Sequence, residues 1–135
     1  MRYLPDGTRM RQADAHTIQE IGIPSVVLME HAALRTVEAM EQEKIDCSRV
    51  LVVCGSGNNG GDGFAAARLL AGKGSAVTVV FAGREASLTP ECRIQMQIVE
   101  NLGIPVVSEL PEGRYTAVVD ALLGVGLSRD VSGAY

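Results

Sequence analysis

The sequence has no long apolar run, no basic excess, no cysteine pairing motif and no internal repeat. Each absence removes a class of protein. Without about 18 consecutive apolar residues, no segment is built to cross a membrane as a helix. The first residues, Met1-Arg2-Tyr3-Leu4-Pro5-Asp6, place no apolar stretch after the basic residue, so they do not read as a secretory signal. A net charge of −4 lacks the basic surplus that a nucleic-acid or anionic-membrane surface needs. It leaves room for a small phosphate ligand, because backbone dipoles bind phosphate inside acidic proteins. The three cysteines, Cys47, Cys54 and Cys92, form no CxxC or Cys/His cluster. They read as reduced thiols of a cytoplasmic protein, not as a disulfide framework or a zinc site. No Lys-Ser/Thr pair follows a glycine loop in Walker order, which sets aside ATPase and GTPase chemistry. Nothing resembles a Ser-His-Asp or Cys-His set. His16 and His31 fall on expected helices and read as surface or packing residues.

What remains is a chain of 135 residues, 47% apolar and 21% charged, which suits one globular domain over residues 1–135. Arg9 to Glu20 reads as a polar helix stopped by Gly22 and Pro24. A second helix is expected from Ser25. Its apolar positions Val26, Met29, Ala33, Val37 and Met40 make one stripe, and the polar run to Lys44 ends it. The period then changes. Val50-Leu51-Val52-Val53 suits a strand buried on both faces of a parallel sheet. A glycine loop follows, then a helix from Asp62 to Ala71. Val77 to Phe81 is the next strand. Thr89 and Pro90 open another helix as N-cap and first residue, with a stop at Gly103. Ile104 to Val107 reads as an edge strand because Pro105 cannot donate to a ladder. Tyr115 to Asp120 reads as another buried strand. Strands alternating with helices predict an α/β fold: a Rossmann-like three-layer α/β/α sandwich, mainly parallel, preceded by two N-terminal helices. Only a third strong strand precedes Tyr135, so the domain is expected to be incomplete at its C-terminal end.

The loop Cys54-Gly55-Ser56-Gly57-Asn58-Asn59-Gly60-Gly61-Asp62-Gly63 carries the chemistry. Gly55-x-Gly57-x-x-Gly60 satisfies the dinucleotide fingerprint and stands between an expected strand and an expected helix. Glycines permit positive φ and close backbone approach, and successive N–H groups attract an anion. Five glycines, two asparagines and an aspartate within nine residues exceed what a turn needs. Asp62 has two open roles: capping the following helix, or contacting a ligand through a cation or a hydroxyl. No carboxylate closes the second strand. Arg84 stands near that point, either as a 2′-phosphate partner in an NADP dehydrogenase or as a surface arginine. Asp120, at the end of its strand, suits an acid/base or a cation ligand, with capping of the next element as the alternative. In such sheets ligands sit beyond the carboxyl ends of the strands, so the glycine loop and Asp120 are expected to meet.

Three stretches together resemble the YjeF N-terminal family of NAD(P)H-hydrate epimerases. They are MRQADAHTIQEIGIPSVVLMEHAA, GSGNNGGDGFAAARLL and VVDALLGVGLSR. The resemblance implies an isomerase that interconverts the R and S forms of hydrated NADH and NADPH. It implies a role in cofactor repair, feeding an ATP- or ADP-dependent dehydratase, fused or separate. It also implies a homodimer and a bound potassium ion. By that resemblance Asn58, Asn59, Gly60, Gly61 and Asp62 hold the dinucleotide substrate. Gly124, Val125, Gly126, Leu127, Ser128, Arg129 and Asp130 form a second substrate loop, and Asn59 and Asp120 are potassium ligands. For the mechanism, Asp120 is expected to assist by its charge and by holding the cation, and Arg129 to contact phosphate. The family's further ligands, in an Asp-x-Pro-Ser-Gly segment, are not found in this sequence. A binding module without turnover is the alternative for this chain, and an NADP-dependent oxidoreductase is the remaining one.

Overall fold

The computed structural model describes residues 12, 13 and 15–123. Of the first expected helix, the part before residue 12 lies outside them. Its described end is a π-helical turn, Thr17–Ile21, which closes on Gly22 at φ 91°. The Gly22 N–H donates to the Thr17 carbonyl at 3.0 Å. Helix α1, Ser25–Gln42, follows. Its buried residues are Met29, Ala33, Val37 and Met40, so the apolar stripe is the packed face. Val26, the first member of the expected stripe, is only half-buried. Strand β1 is Arg49–Cys54, helix α2 is Asn58–Gly72 and strand β2 is Ala76–Phe81. Helix α3, Pro90–Asn101, begins after Thr89, whose side chain accepts from the Cys92 N–H. Strand β3 is Val106–Val107 and strand β4 is Ala117–Ala121. Among the described residues, no helix is long and apolar enough to cross a membrane.

The four strands are parallel and ordered β3-β2-β1-β4. From β1 the chain steps outward to β2 and β3 through α2 and α3. It then returns to the other side of β1 to lay down β4. The strand order reverses between β1 and β4, and in open α/β sheets that reversal opens a crevice at the carboxyl ends. Helices α1, α2 and α3 share one core with the inward residues of the sheet: Val50, Val52 and Cys54 of β1, Val77 and Val79 of β2, and Ala121 of β4. The N-terminal ends of α1 and α3 are tied together by Ser25 Oγ donating to Glu91 Oε1 at 2.8 Å.

One expectation about the strands holds and one changes. The short edge strand is present, and the Pro105 carbonyl extends its ladder by accepting the Val79 N–H at 2.9 Å. The strand expected over Tyr115 to Asp120 starts later, at Ala117, and is not buried on both faces. Val118 is 62% exposed, while Ala121 is buried. Among the described residues β4 pairs only with β1, so its apolar run alternates between core and surface.

Helix α2 is the centre of the packing. Phe64, Ala65, Ala66, Ala67 and Leu70 are buried along it. Its glycines are there for proximity. A Cβ on Gly60 would lie 1.9 Å from the Gly55 carbonyl oxygen, and one on Gly63 would lie 2.5 Å from Ala121 Cβ. At Gly72 an added Cβ meets nothing within 4 Å among the described residues. Gly60→Ala should therefore lower unfolding stability by about 2 kcal/mol or more, because backbone must move to admit the methyl. Gly72→Ala should be neutral or stabilising by up to about 1 kcal/mol. Urea unfolding midpoints of the two variants check this.

Candidate functional site

The site begins where β1 ends. The segment after Cys54 is held from three sides. The Gly55 N–H donates to the Ala121 carbonyl at 3.0 Å, the Ala82 N–H to the Cys54 carbonyl at 2.9 Å, and the Thr89 N–H to the Ser56 carbonyl at 3.0 Å. Loops after β1, β2 and β4 thus converge at one end of the sheet. Helix α2 starts at once. Gly57 is its N-cap, with φ −85° and ψ −172°, and the first helical bond runs from the Gly61 N–H to the Gly57 carbonyl at 3.1 Å. The N–H groups of Asn58, Asn59 and Gly60 precede that bond and have no acceptor within the helix. They form the positive end of α2 at the carboxyl end of β1, beside the strand-order reversal.

This arrangement corrects the expected loop. The helix begins at Asn58 and not at Asp62, so Asn58 to Gly61 are its first turn. Asp62 lies too far inside the helix to cap it, and the capping role falls to Gly57, which has no side chain. The loop glycines also do not use the left-handed region. The described glycines with positive φ are Gly22, Gly74, Gly103 and Gly113. Within the loop the need is close approach: a Cβ on Gly55 would lie 2.3 Å from the Leu122 carbonyl oxygen. Gly57 differs, because among the described residues nothing stands within 4 Å of its added Cβ, which leaves its bare backbone open to a ligand on their side.

The asparagines point to two different neighbours. Asn59 Nδ2 donates to the Leu123 carbonyl at 2.6 Å, joining α2 to the segment after β4. Asn58 Oδ1 accepts from Thr89 Oγ1 at 2.7 Å. Thr89 was legible in the sequence as a helix cap, but no spacing rule signals that its hydroxyl meets a side chain 31 residues away. Asp120 is exposed, and its Oδ1 accepts the Leu122 N–H at 3.1 Å. That bond supplies part of the capping alternative and leaves the carboxylate at the rim of the crevice. Arg84 is exposed ahead of a short 3-10 turn, Glu85–Ser87, which fits a surface arginine. Gly124, Val125, Gly126, Leu127, Ser128, Arg129 and Asp130 lie outside the described residues.

The donor set around the crevice is oxygen. With Asn59 Nδ2 bound to Leu123, its carbonyl oxygen is the end left to a ligand, and Asp120 adds a carboxylate. Such oxygens suit a hard cation and not a soft metal. Two side chains do not complete a coordination shell. Among the described residues, no group of three or more His, Cys, Asp or Glu side chains could hold a metal ion.

Two buried thiols stand under the loop. Cys92 Sγ lies 3.7 Å from the Gly55 carbonyl oxygen. Burial, and then the charge of Asp62, push the Cys92 thiol up to about 11. Burial, and then Cys92, push Cys54 up as well. Neither is poised as a nucleophile, since the thiolate is the reactive form. Elsewhere, an apolar cleft of about 550 Å³ lies at the other end of α2, against Leu69, Gly72, Leu102 and Ile104. It shares no residue with the crevice.

Comparison with known proteins bears on this site. The family model described as YjeF-related protein N-terminus matches residues 25–135. The chain is 48% identical over 123 residues to the NAD(P)H-hydrate epimerase of Weissella koreensis, covering 90% of this chain and 56% of that protein. It is 48% identical over 122 residues to the same-named protein of Oenococcus oeni, covering 89% of this chain and 58% of that one. The chain thus spans less than two thirds of the curated relatives it matches. Its fold is similar to a crystal structure of a yeast protein, with TM-score 0.82 and 21% identity, over 97% of this chain and 60% of the yeast chain.

The thiol environment gives a test. A thiol reagent at neutral pH should modify half-buried Cys47 first, and Cys54 and Cys92 only on unfolding. The raised Cys92 value makes the folded state favour the neutral thiol, so its contribution is complete below about 9 and is lost as pH rises toward about 11. Thermal midpoints across that interval, compared with those of Cys92→Ala, should fall more steeply for the wild type.

Proposed function

Given that the chain belongs to the family of YjeF-related protein N-termini, we propose that the protein is an NAD(P)H-hydrate epimerase. Its reaction would interconvert the R and S forms of the hydrated nicotinamide dinucleotide. The S form would pass to an ATP- or ADP-dependent dehydratase in the cytoplasm. The observation that carries this reading is the first turn of α2. Three N–H groups without helical acceptors and the side-chain-free Gly57 stand beside the strand-order reversal, where a dinucleotide phosphate is best held, with Asn59 reaching Leu123 on the β4 side and Asn58 reaching Thr89 on the β2 side.

The residues divide by role. The N–H groups of Asn58, Asn59 and Gly60 bind phosphate oxygen. Gly60 and Gly61 contribute by lacking side chains, which lets the turn sit against the Gly55 carbonyl and Met29. Asp62 shares its environment with Cys92 and sets the negative border of the site. Inversion at the hydrated carbon requires the hydroxyl to leave and return, or the ring to open, through a cationic, iminium-like species. Asp120, at the crevice rim, would stabilise that charge and assist the proton movement. Asn59 and Asp120 would hold a potassium ion. When bound, the ion supplies positive charge that offsets Asp120 beside the substrate phosphates.

The experiment supplies R-form hydrate to the natural full-length protein together with a dehydratase that accepts only the S form. Accelerated repair is expected. Nucleotide binding without acceleration would support a binding module, and hydride transfer would support an oxidoreductase. Asp120→Ala, at an exposed position, should keep the fold and lower the epimerisation rate by about 10²- to 10⁴-fold. An unchanged rate with unchanged potassium dependence would remove Asp120 from the mechanism.

A further inference from the structure

We propose that Thr89 is a positioning residue that fixes the Asn58 carboxamide with its oxygen turned inward, so that its NH₂ is presented to the substrate. This inference rests on the epimerase reading, since it concerns how that substrate is met.

The geometry leaves the Thr89 hydroxyl hydrogen one use. Its main-chain N–H is already spent on the Ser56 carbonyl at 3.0 Å. Its Oγ1 accepts the Cys92 N–H at 3.2 Å, which caps α3. A hydroxyl has a single hydrogen to donate. That hydrogen goes to Asn58 Oδ1 at 2.7 Å. With Oδ1 held on Thr89, the amide's orientation is set and its NH₂ end is turned away from Thr89 toward other partners. Asn58 is exposed and stands in the first turn of α2, beside N–H groups that also lack helical acceptors. The result is a set of donors with one polarity. An unfixed amide could rotate and offer its carbonyl instead, which would repel a phosphate or a ring oxygen.

The anchor itself is rigid. Thr89 is β-branched, with few χ1 options. Helix α3 is seated against the loop at two further points: Cys92 Sγ lies 3.7 Å from the Gly55 carbonyl, and Cys92 Cα lies 3.3 Å from the position of a Cβ on Gly61. The start of α3 therefore acts as a template for the start of α2. Thr89 touches Asn58 and not the reacting atoms, so its effect should appear in substrate affinity.

The test uses the full-length protein and four variants. Thr89→Ser keeps both hydroxyl functions and should leave KM and kcat within about two-fold. Thr89→Val removes both functions and should raise KM by about 10- to 100-fold, the loss expected for a hydrogen bond to a charged group, with kcat little changed. Asn58→Ala should raise KM by a similar factor, and the double variant should be no worse than either single one. Additive effects would mean that Thr89 does not act through Asn58, and would overturn the proposal. Thr89→Asp keeps an acceptor for the Cys92 N–H but has no hydrogen to give. The Asn58 amide should then turn its NH₂ toward the new carboxylate. Side-chain amide nuclear Overhauser contacts in the unliganded protein read this directly, whatever the activity. A wild-type NH₂ already directed at Thr89 would overturn the proposal. Absence of turnover by the wild type would remove the epimerase reading and this inference with it. Turnover with an unchanged KM in Thr89→Val would remove the inference alone.

Discussion

The near contact between the first turn of α2 and the end of β1 is the constraint on which the rest depends. Gly60 is pressed against the Gly55 carbonyl, and Gly55 against the Leu122 carbonyl. Any side chain at these points would hold the helix away from the sheet. With hydrogen there instead, the helix starts one residue after Gly57 and points the N–H groups that have no acceptor within the helix along the strand-order reversal. The same closeness lets Asn59 reach Leu123 and Asn58 reach Thr89. Packing and the geometry of the candidate site are thus set by the same absent methyl groups.

Electrostatics follow from that placement. The protein is acidic overall, with a net charge of −4, and Asp62 and Asp120 both stand near the proposed phosphate site. A helix end supplies local positive potential that net charge does not describe. Asp120 keeps its carboxylate at the surface, held by the Leu122 N–H. Asp62 faces the region of Cys92, where its charge raises the thiol further above its ordinary value. The anionic groups border the donor cluster, and the main-chain N–H groups remain pointed at the crevice.

Much of the architecture was legible in the sequence. The stripe of Met29, Ala33, Val37 and Met40 is the buried face of α1, and Thr89 caps α3. Parallel strands flanked by helices followed from alternating β-branched runs and helical segments. Other features were hidden for physical reasons. Glycine disfavours helix, so Asn58 to Gly61 read as loop, whereas close packing places them in α2. The same bias made Asp62 look like a cap. The apolar run of β4 suggested full burial, because composition does not reveal that, among the described residues, β4 pairs with β1 alone. Of the candidate site, the glycine loop, the asparagines and Asp120 could be named in advance. Thr89 could not be linked to Asn58, since that contact depends on how two helices seat against each other.

The central claim is that a dinucleotide sits across the β1–β4 crevice on the amino end of α2. Amide chemical-shift mapping of the full-length protein during titration with NADPH, a stable relative of the substrate, tests it most directly. The account predicts the largest shifts at Ser56 to Gly60 and at Leu122 and Leu123, with little change along Leu102 to Ile104. Shifts concentrated in the apolar cleft at the other end of α2, or none at the first turn of that helix, would contradict it.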